Sequence, residues 1–96
     1  MTKEGIINIL KSVKQEVRQQ YKAELKGLFG SHSRDEQTKG SDIDVLVKFF
    51  PGATLLDLSG LANFLEQKLQ SKVDVVSDQA LREEIKPYVK NDLVEI

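Results

Sequence analysis

The run from Ile43 to Phe49 constrains the fold most, because apolar residues recur in it at every second position. Such alternation predicts a β-strand with one buried face, since successive side chains point to opposite sides. We expect the buried face to carry Ile43, Val45, Val47 and Phe49. The other face then begins with Asp42 and Asp44, roughly 7 Å apart along the strand. Aspartate is depleted in strands, so this pair of like charges needs a reason.

The remaining patterns supply helices that can cover the buried face. Apolar residues at helical spacing predict an amphipathic helix over residues 3–20, and a second over residues 54–70. Thr54 followed by Asp57 resembles a capping box at the start of the second helix. After Ser77 or Asp78 we expect a further helix that Pro87 kinks or ends.

Three more strands are predicted, over residues 24–29, 72–76 and 92–96, and a polar turn over residues 31–40. A mixed sheet with helices packed on it is the economical way to bury these faces, so we expect an α+β fold. With 96 residues, the chain has room for a single domain, residues 1–96.

Composition excludes several classes of protein. The chain has no cysteine, and its formal net charge is −1, which argues against a disulfide scaffold and against long-range attraction of nucleic acid. No apolar run approaches the roughly 20 residues that span a bilayer, and we see no secretion leader. We therefore expect a cytoplasmic protein that acts on neither a membrane nor nucleic acid.

Asp74 strengthens the case for a site at the paired aspartates. It interrupts a second apolar run, Lys72 to Val76, and would join Asp42 and Asp44 if the two strands pair. Carboxylates this close repel one another, and a divalent cation relieves the repulsion by taking oxygen ligands from them. Mg²⁺ is the best candidate, since it accepts one or two carboxylates and completes its shell with water and phosphate oxygens.

A glycine–serine step precedes the aspartates. Gly30 lets the backbone approach a ligand, and the following N–H groups with the Ser31 hydroxyl can hold phosphate oxygens. Arg34 can add a guanidinium fork to the phosphates, and Ser41 either ligates through its hydroxyl or merely starts the strand. The single histidine, His32, lies in this polar loop, and we expect it to be exposed to solvent.

The stretch from Phe29 to Arg34, together with Gly40 to Val45, resembles the signature of the minimal nucleotidyltransferases, a branch of the DNA polymerase beta-like superfamily. The likeness covers the chain from about Leu25 to Val76. It departs in two places: Ser33 stands at the family's usual small position, the second after the Gly30–Ser31 step, and Asp35 replaces a frequent glycine.

The resemblance implies a polymerase beta-like fold that binds ATP with one or two Mg²⁺ ions. It implies that Gly30 and Ser31 hold the triphosphate, and that Asp42, Asp44 and Asp74 bind the metal. Asp74 would also be the base for the attacking hydroxyl. Many members of the family are antitoxins that transfer AMP from ATP onto a tyrosine of a partner HEPN toxin.

Two alternatives come from other classes. One is an antitoxin that binds nucleotide without catalysis and neutralises its partner by contact. The other is a D-x-D glycosyltransferase, which needs about twice this length and has no use for the Gly30–Ser31 step. The chain is also too short to hold both the catalytic core and an acceptor-binding domain, so the acceptor groove must come from a partner or a second copy.

Overall fold

The structure, a computed structural model, describes residues 1–96. Its helices are α1 (Lys3–Tyr21), α2 (Leu55–Leu69) and α3 (Lys86–Asp92), with a 3-10 turn at Asp78–Ala80. Its strands are β1 (Ala23–Phe29), β2 (Ile43–Phe49), β3 (Val73–Ser77) and β4 (Val94–Glu95). The α+β architecture predicted from the sequence is confirmed.

The four strands form one mixed sheet in the order β3-β2-β1-β4. β1 is antiparallel to both β2 and β4, whereas β2 and β3 are parallel. Parallel strands need a long crossover, and α2 supplies it. Strands β2 and β3 therefore both begin at the same edge of the sheet, which is where the aspartates lie.

The main core lies between the sheet and helices α1 and α2. It is made of aliphatic side chains: Ile6, Leu10, Val13, Val17, Ala23, Leu25, Leu28, Ile43, Val45, Val47, Leu61, Leu65, Leu69 and Val73. The apolar stripes of the two helices explain why they pack here. The capping box is also present, since the Thr54 side chain accepts from Leu56 N–H and Asp57 accepts from Thr54 N–H.

The opposite face of the sheet is partly covered by the C-terminal segment. Leu46 points to the same side as the aspartates, yet it is only 6% exposed, and it lines a hollow together with Asp78 of the 3-10 turn and Val89 of α3. Val89 of α3 is buried in the same place. The carboxylate face is therefore bounded by α3 on one side rather than being wholly open.

The prediction for Pro87 is wrong. No continuous helix runs from Asp78 to Pro87; the 3-10 turn ends at Ala80, and Pro87 lies in the first turn of α3. Proline lacks a backbone N–H, but the first residues of a helix have no intrahelical partner for that group. No helix of the structure has the length and apolarity to cross a membrane.

Candidate active site

Asp44 and Asp74 are direct neighbours across the parallel pair of β2 and β3. The predicted pairing of the two aspartate-bearing strands is therefore present, and Asp42 lies immediately before β2, two residues before Asp44. Asp42 and Asp74 are exposed and Asp44 is half-buried between them. The sequence-predicted carboxylates thus form one cluster on one sheet face.

The cluster is electrostatically unfavourable for the central carboxylate. Burial raises the pKa of Asp44 above its usual value, and the charges of Asp74 and then Asp42 raise it further. His32 and Arg34 oppose this rise and lower the pKa of Asp44. A cation placed on this face would remove the repulsion that the protein alone leaves in place.

Gly30 packs directly against Asp44. Phe29, the last residue of β1, pairs with Asp44 in the sheet, so Gly30 is placed beside the carboxylate. Its φ of +76° lies in the left-handed region, and a Cβ at this position would overlap the Asp44 carboxylate. Only glycine fits here, because both the backbone conformation and the contact exclude a side chain.

The loop after Gly30 is closed by its own hydrogen bonds. Ser33 donates to the Gly30 carbonyl from its N–H at 3.1 Å and from its hydroxyl at 2.8 Å. The Ser31 carbonyl accepts from Arg34 N–H and Glu36 N–H. Asp35 has a φ of +57°, a conformation that glycine adopts readily and aspartate tolerates, so the departure at this position keeps the shape of the loop.

His32 is buried rather than exposed, so the expectation from the sequence is wrong. It lines a hollow together with the core residues Ile6, Ile43 and Leu69, and it is only 8% exposed. Its Nδ1 atom is buried without a hydrogen-bond partner. A polar loop predicts exposure only on average, and here the loop folds back onto the core.

Arg34 is held by two carboxylates. Its Nε donates to Glu36 at 3.0 Å, and its Nη1 donates to Asp92, the last residue of α3. These hydrogen bonds, that with Glu36 foremost, raise the pKa of Arg34. No local pattern predicts the contact between Arg34 and Asp92, because 58 positions separate the two residues.

Ser41 lies immediately before the aspartates but is engaged in the loop. Its hydroxyl accepts from Thr38 N–H at 2.9 Å, and its own N–H donates to the Thr38 carbonyl at 3.0 Å. The side chain therefore fastens the turn that leads into β2.

The donor set of the cluster suits Mg²⁺, which prefers carboxylate oxygens. No group of three or more His, Cys, Asp or Glu side chains is arranged in the structure as a ready metal cage. Mg²⁺ sites that serve phosphate substrates rarely have such a cage, because water and phosphate oxygens supply most of the ligands. Asp42, Asp44 and Asp74 are the residues that would hold the ion.

Comparison with known families and proteins agrees with this geometry. Residues 10–96 match the family model described as a nucleotidyltransferase domain. A protein of Methanocaldococcus jannaschii with the provisional name protein adenylyltransferase MJ0126 is 38% identical over 90 residues, covering 94% of this chain and 89% of its own. Protein adenylyltransferase MntA of Thermococcus cleftensis is 35% identical over 94 residues, covering 98% and 95%.

Solved structures show the same fold. One provisionally described as a minimal nucleotidyltransferase superposes with a TM-score of 0.84 at 31% identity, covering 100% of this chain and 97% of that one. A toxin–antitoxin crystal structure with AMP-PNP gives a TM-score of 0.69 at 26% identity, covering 99% and 72%. A tri-AMPylated Shewanella oneidensis HEPN toxin in complex with an MNT antitoxin gives 0.65 at 22% identity, covering 94% and 70%.

The family match covers most of the chain, and the relatives align with nearly all of it. The chain belongs to the nucleotidyltransferase domain family, in its minimal branch, and is a nucleotidyltransferase.

Proposed function

We propose that the protein transfers AMP from ATP, with Mg²⁺, to a hydroxyl of a partner protein, and that it serves as the antitoxin of a HEPN toxin. The observation that carries the proposal is the pairing of Asp44 with Asp74 beside Gly30. This pairing places the carboxylates that we propose bind metal next to Gly30, a loop residue with no side chain. A triphosphate needs both features at once, a cation for its charge and an uncovered backbone to approach.

The chain's own residues would act mainly by placement and charge. The Ser31 hydroxyl and the backbone N–H groups near Gly30 would receive phosphate oxygens, and the Arg34 guanidinium would add charge-assisted hydrogen bonds. Asp42, Asp44 and Asp74 would hold Mg²⁺, which supplies positive charge to the phosphates as pyrophosphate leaves. Ser41 would contribute by fixing the turn that presents Asp42.

Asp74 is the candidate base for the acceptor hydroxyl. It is exposed, whereas Asp44 is half-buried, so an acceptor can reach Asp74 from solvent. A base must come within hydrogen-bonding reach of the proton that it removes. The acceptor hydroxyl would then attack the α-phosphorus, its proton would pass to the Asp74 carboxylate, and the bond to pyrophosphate would break.

The acceptor is proposed to lie on a partner protein, because the aspartates form no enclosed site that could hold one. Asp42 and Asp74 stand on an exposed sheet edge, and the hollows of the structure are lined by other residues. Two of the similar solved structures are toxin–antitoxin complexes, one with AMP-PNP and one with an AMPylated HEPN toxin. They support a HEPN protein as partner, and the tyrosine acceptor is part of our proposal.

Incubation with ATP, Mg²⁺ and the candidate HEPN partner tests the proposal, with intact-mass and peptide mass spectrometry as the readout. We expect AMP on a partner tyrosine with wild-type protein, and a loss of about 100-fold or more with Asp42→Ala, by analogy with removal of other charge-stabilising groups. Glu16→Ala is the matched control, since Glu16 is an exposed carboxylate on α1. It should label the partner as the wild type does.

A different result would identify the non-catalytic alternative. If no AMP reaches the partner, while Asp42→Ala still binds and neutralises the toxin, the protein acts by contact and transfer is not its function. Label on a serine or on a small molecule instead would leave nucleotidyl transfer standing and overturn the proposed acceptor.

A further inference from the structure

The loop that follows Gly30 is fastened to two elements distant in sequence. On one side, Lys3 of α1 donates from Nζ to the Ser33 carbonyl at 3.2 Å and lies 3.8 Å from the Asp35 carboxylate. On the other side, Arg34 is paired with Asp92 at the end of α3. The Arg34 pair is the one that bears on the site, because the guanidinium also lies within electrostatic reach of Asp44.

Asp92 occupies a position that is locally unfavourable for a carboxylate. It is the last residue of α3, and the C-terminal end of a helix carries partial negative charge that disfavours an acidic side chain. Its side chain is 22% exposed, so water compensates only in part. The contact with Arg34 offsets this unfavourable charge at the end of the helix.

The geometry leaves part of the guanidinium available. Arginine carries five N–H donors; Nε is directed to Glu36 and Nη1 to Asp92, so the donors of Nη2 remain. Glu36 sits two residues along the same loop and moves with it, whereas Asp92 belongs to another element that is tied to β1 through β4. Of the two carboxylates, only Asp92 can fix the guanidinium relative to the sheet.

We infer that Asp92 is a positioning residue that holds the Arg34 guanidinium toward the triphosphate site at Gly30 and Ser31. The inference rests on the proposed nucleotide function and adds to it a residue from the C-terminal segment. It also explains why the C-terminal segment crosses the carboxylate face: α3 delivers one carboxylate to the loop that holds the phosphates.

Binding of AMP-PNP with Mg²⁺, measured by calorimetry beside the melting temperature of each variant, tests the inference without requiring a partner. Asp92→Ala should weaken binding on the order of 10-fold, as expected when an arginine loses the support that orients it. Glu36→Ala, which removes the other partner of the same guanidinium, should change Kd less than about threefold. Asp92→Glu should restore most of the affinity.

A double variant separates positioning from mere stability. If Asp92 acts through Arg34, adding Asp92→Ala to Arg34→Ala should weaken binding no further than Arg34→Ala does. Unchanged affinity in Asp92→Ala, with or without a lower melting temperature, would overturn the inference, and so would tighter binding, which would mean that Asp92 sequesters Arg34. If the wild type itself binds no AMP-PNP, the proposed function fails together with the inference. If the wild type binds AMP-PNP and Asp92→Ala binds it equally well, only the inference is overturned.

Discussion

At the scale of single residues, the contact between Gly30 and Asp44 links the loop proposed to hold phosphate to the carboxylates proposed to bind metal. The carboxylate occupies the space that a side chain at position 30 would need. Asp44 in turn is held by the register of β1 and β2. The position of each residue therefore constrains the position of the other, and a bound nucleotide would contact both.

Gly30→Ala should weaken nucleotide binding at least about 10-fold, because the new methyl group displaces Asp44 and the left-handed backbone costs about 1–2 kcal/mol. The measurements are AMP-PNP affinity by calorimetry and the free energy of unfolding by urea titration. Gly52→Ala is the matched control, since Gly52 has a φ of +94° with open space around its Cα. Gly52→Ala should lower the free energy of unfolding by a similar amount and leave the affinity for AMP-PNP unchanged. An equal loss of affinity in both variants would show that backbone strain alone is responsible.

The placement of the main residues of the candidate site could be predicted because each carries a local signal. An aspartate inside an apolar strand is conspicuous, and Asp44 and Asp74 follow from that rule once their strands pair. Asp92 and the burial of His32 could not be predicted, since both depend on where α3 and the loop pack against the rest of the chain. Such contacts between distant segments leave no periodicity to detect.

At the scale of elements, most boundaries follow from hydrophobic spacing and capping chemistry. Helices α1 and α2 begin and end within about a residue of their predicted limits. The segment from Asp78 to Asp92 differs, because its elements are short and have few periodic positions to mark them. A proline breaks a helix when it lies in the interior and favours a helix start when it lies in the first turn. The sequence alone does not show which of these applies to Pro87.

The capping box of α2 gives a prediction that concerns the fold and not the site. Thr54→Ala removes the side-chain acceptor for Leu56 N–H, which should cost about 1 kcal/mol and lower the melting temperature by roughly 4–8 °C in a domain of this size. Ser59→Ala, at an exposed position inside α2, is the control and should change little. AMP-PNP affinity should stay constant, because Thr54 precedes α2 at the edge of the sheet opposite the aspartates; a large loss would mean that α2 shifts the cluster.

At the scale of the whole molecule, the carboxylate cluster links folding stability to pH and to metal. Burial, Asp74 and Asp42 raise the pKa of Asp44 in the folded protein, whereas an unfolded chain has a value of about 3.9. Between these two values the folded state binds more protons than the unfolded state. The contribution of Asp44 to the free energy of unfolding is therefore most favourable below the unfolded pKa, and it is lost as pH rises through the folded pKa.

Asp44→Asn should consequently make the metal-free protein more stable at neutral pH, by less than about 1 kcal/mol because Asp44 is only half-buried and water screens its neighbours. The gain should vanish as pH falls below about 4. Urea unfolding of both proteins across a pH series measures the difference, and the many other carboxylates cancel in the comparison. If the free energies of unfolding of the two proteins differed by the same amount at every pH, the raised pKa of Asp44 would have no effect on stability.

Mg²⁺ should make the wild type more stable than Asp44→Asn, the reverse of their order without metal. An ion that binds only the folded state adds about 1.4 kcal/mol when its free concentration is about ten times its Kd, so wild type should gain stability with added MgCl₂ at neutral pH and Asp44→Asn much less. NaCl at equal ionic strength controls for general screening, which should affect both proteins alike. An equal response of both proteins to Mg²⁺ would place the ion elsewhere. A selective response would mean that the repulsion at this sheet edge, unfavourable for folding alone, is retained because the bound ion relieves it.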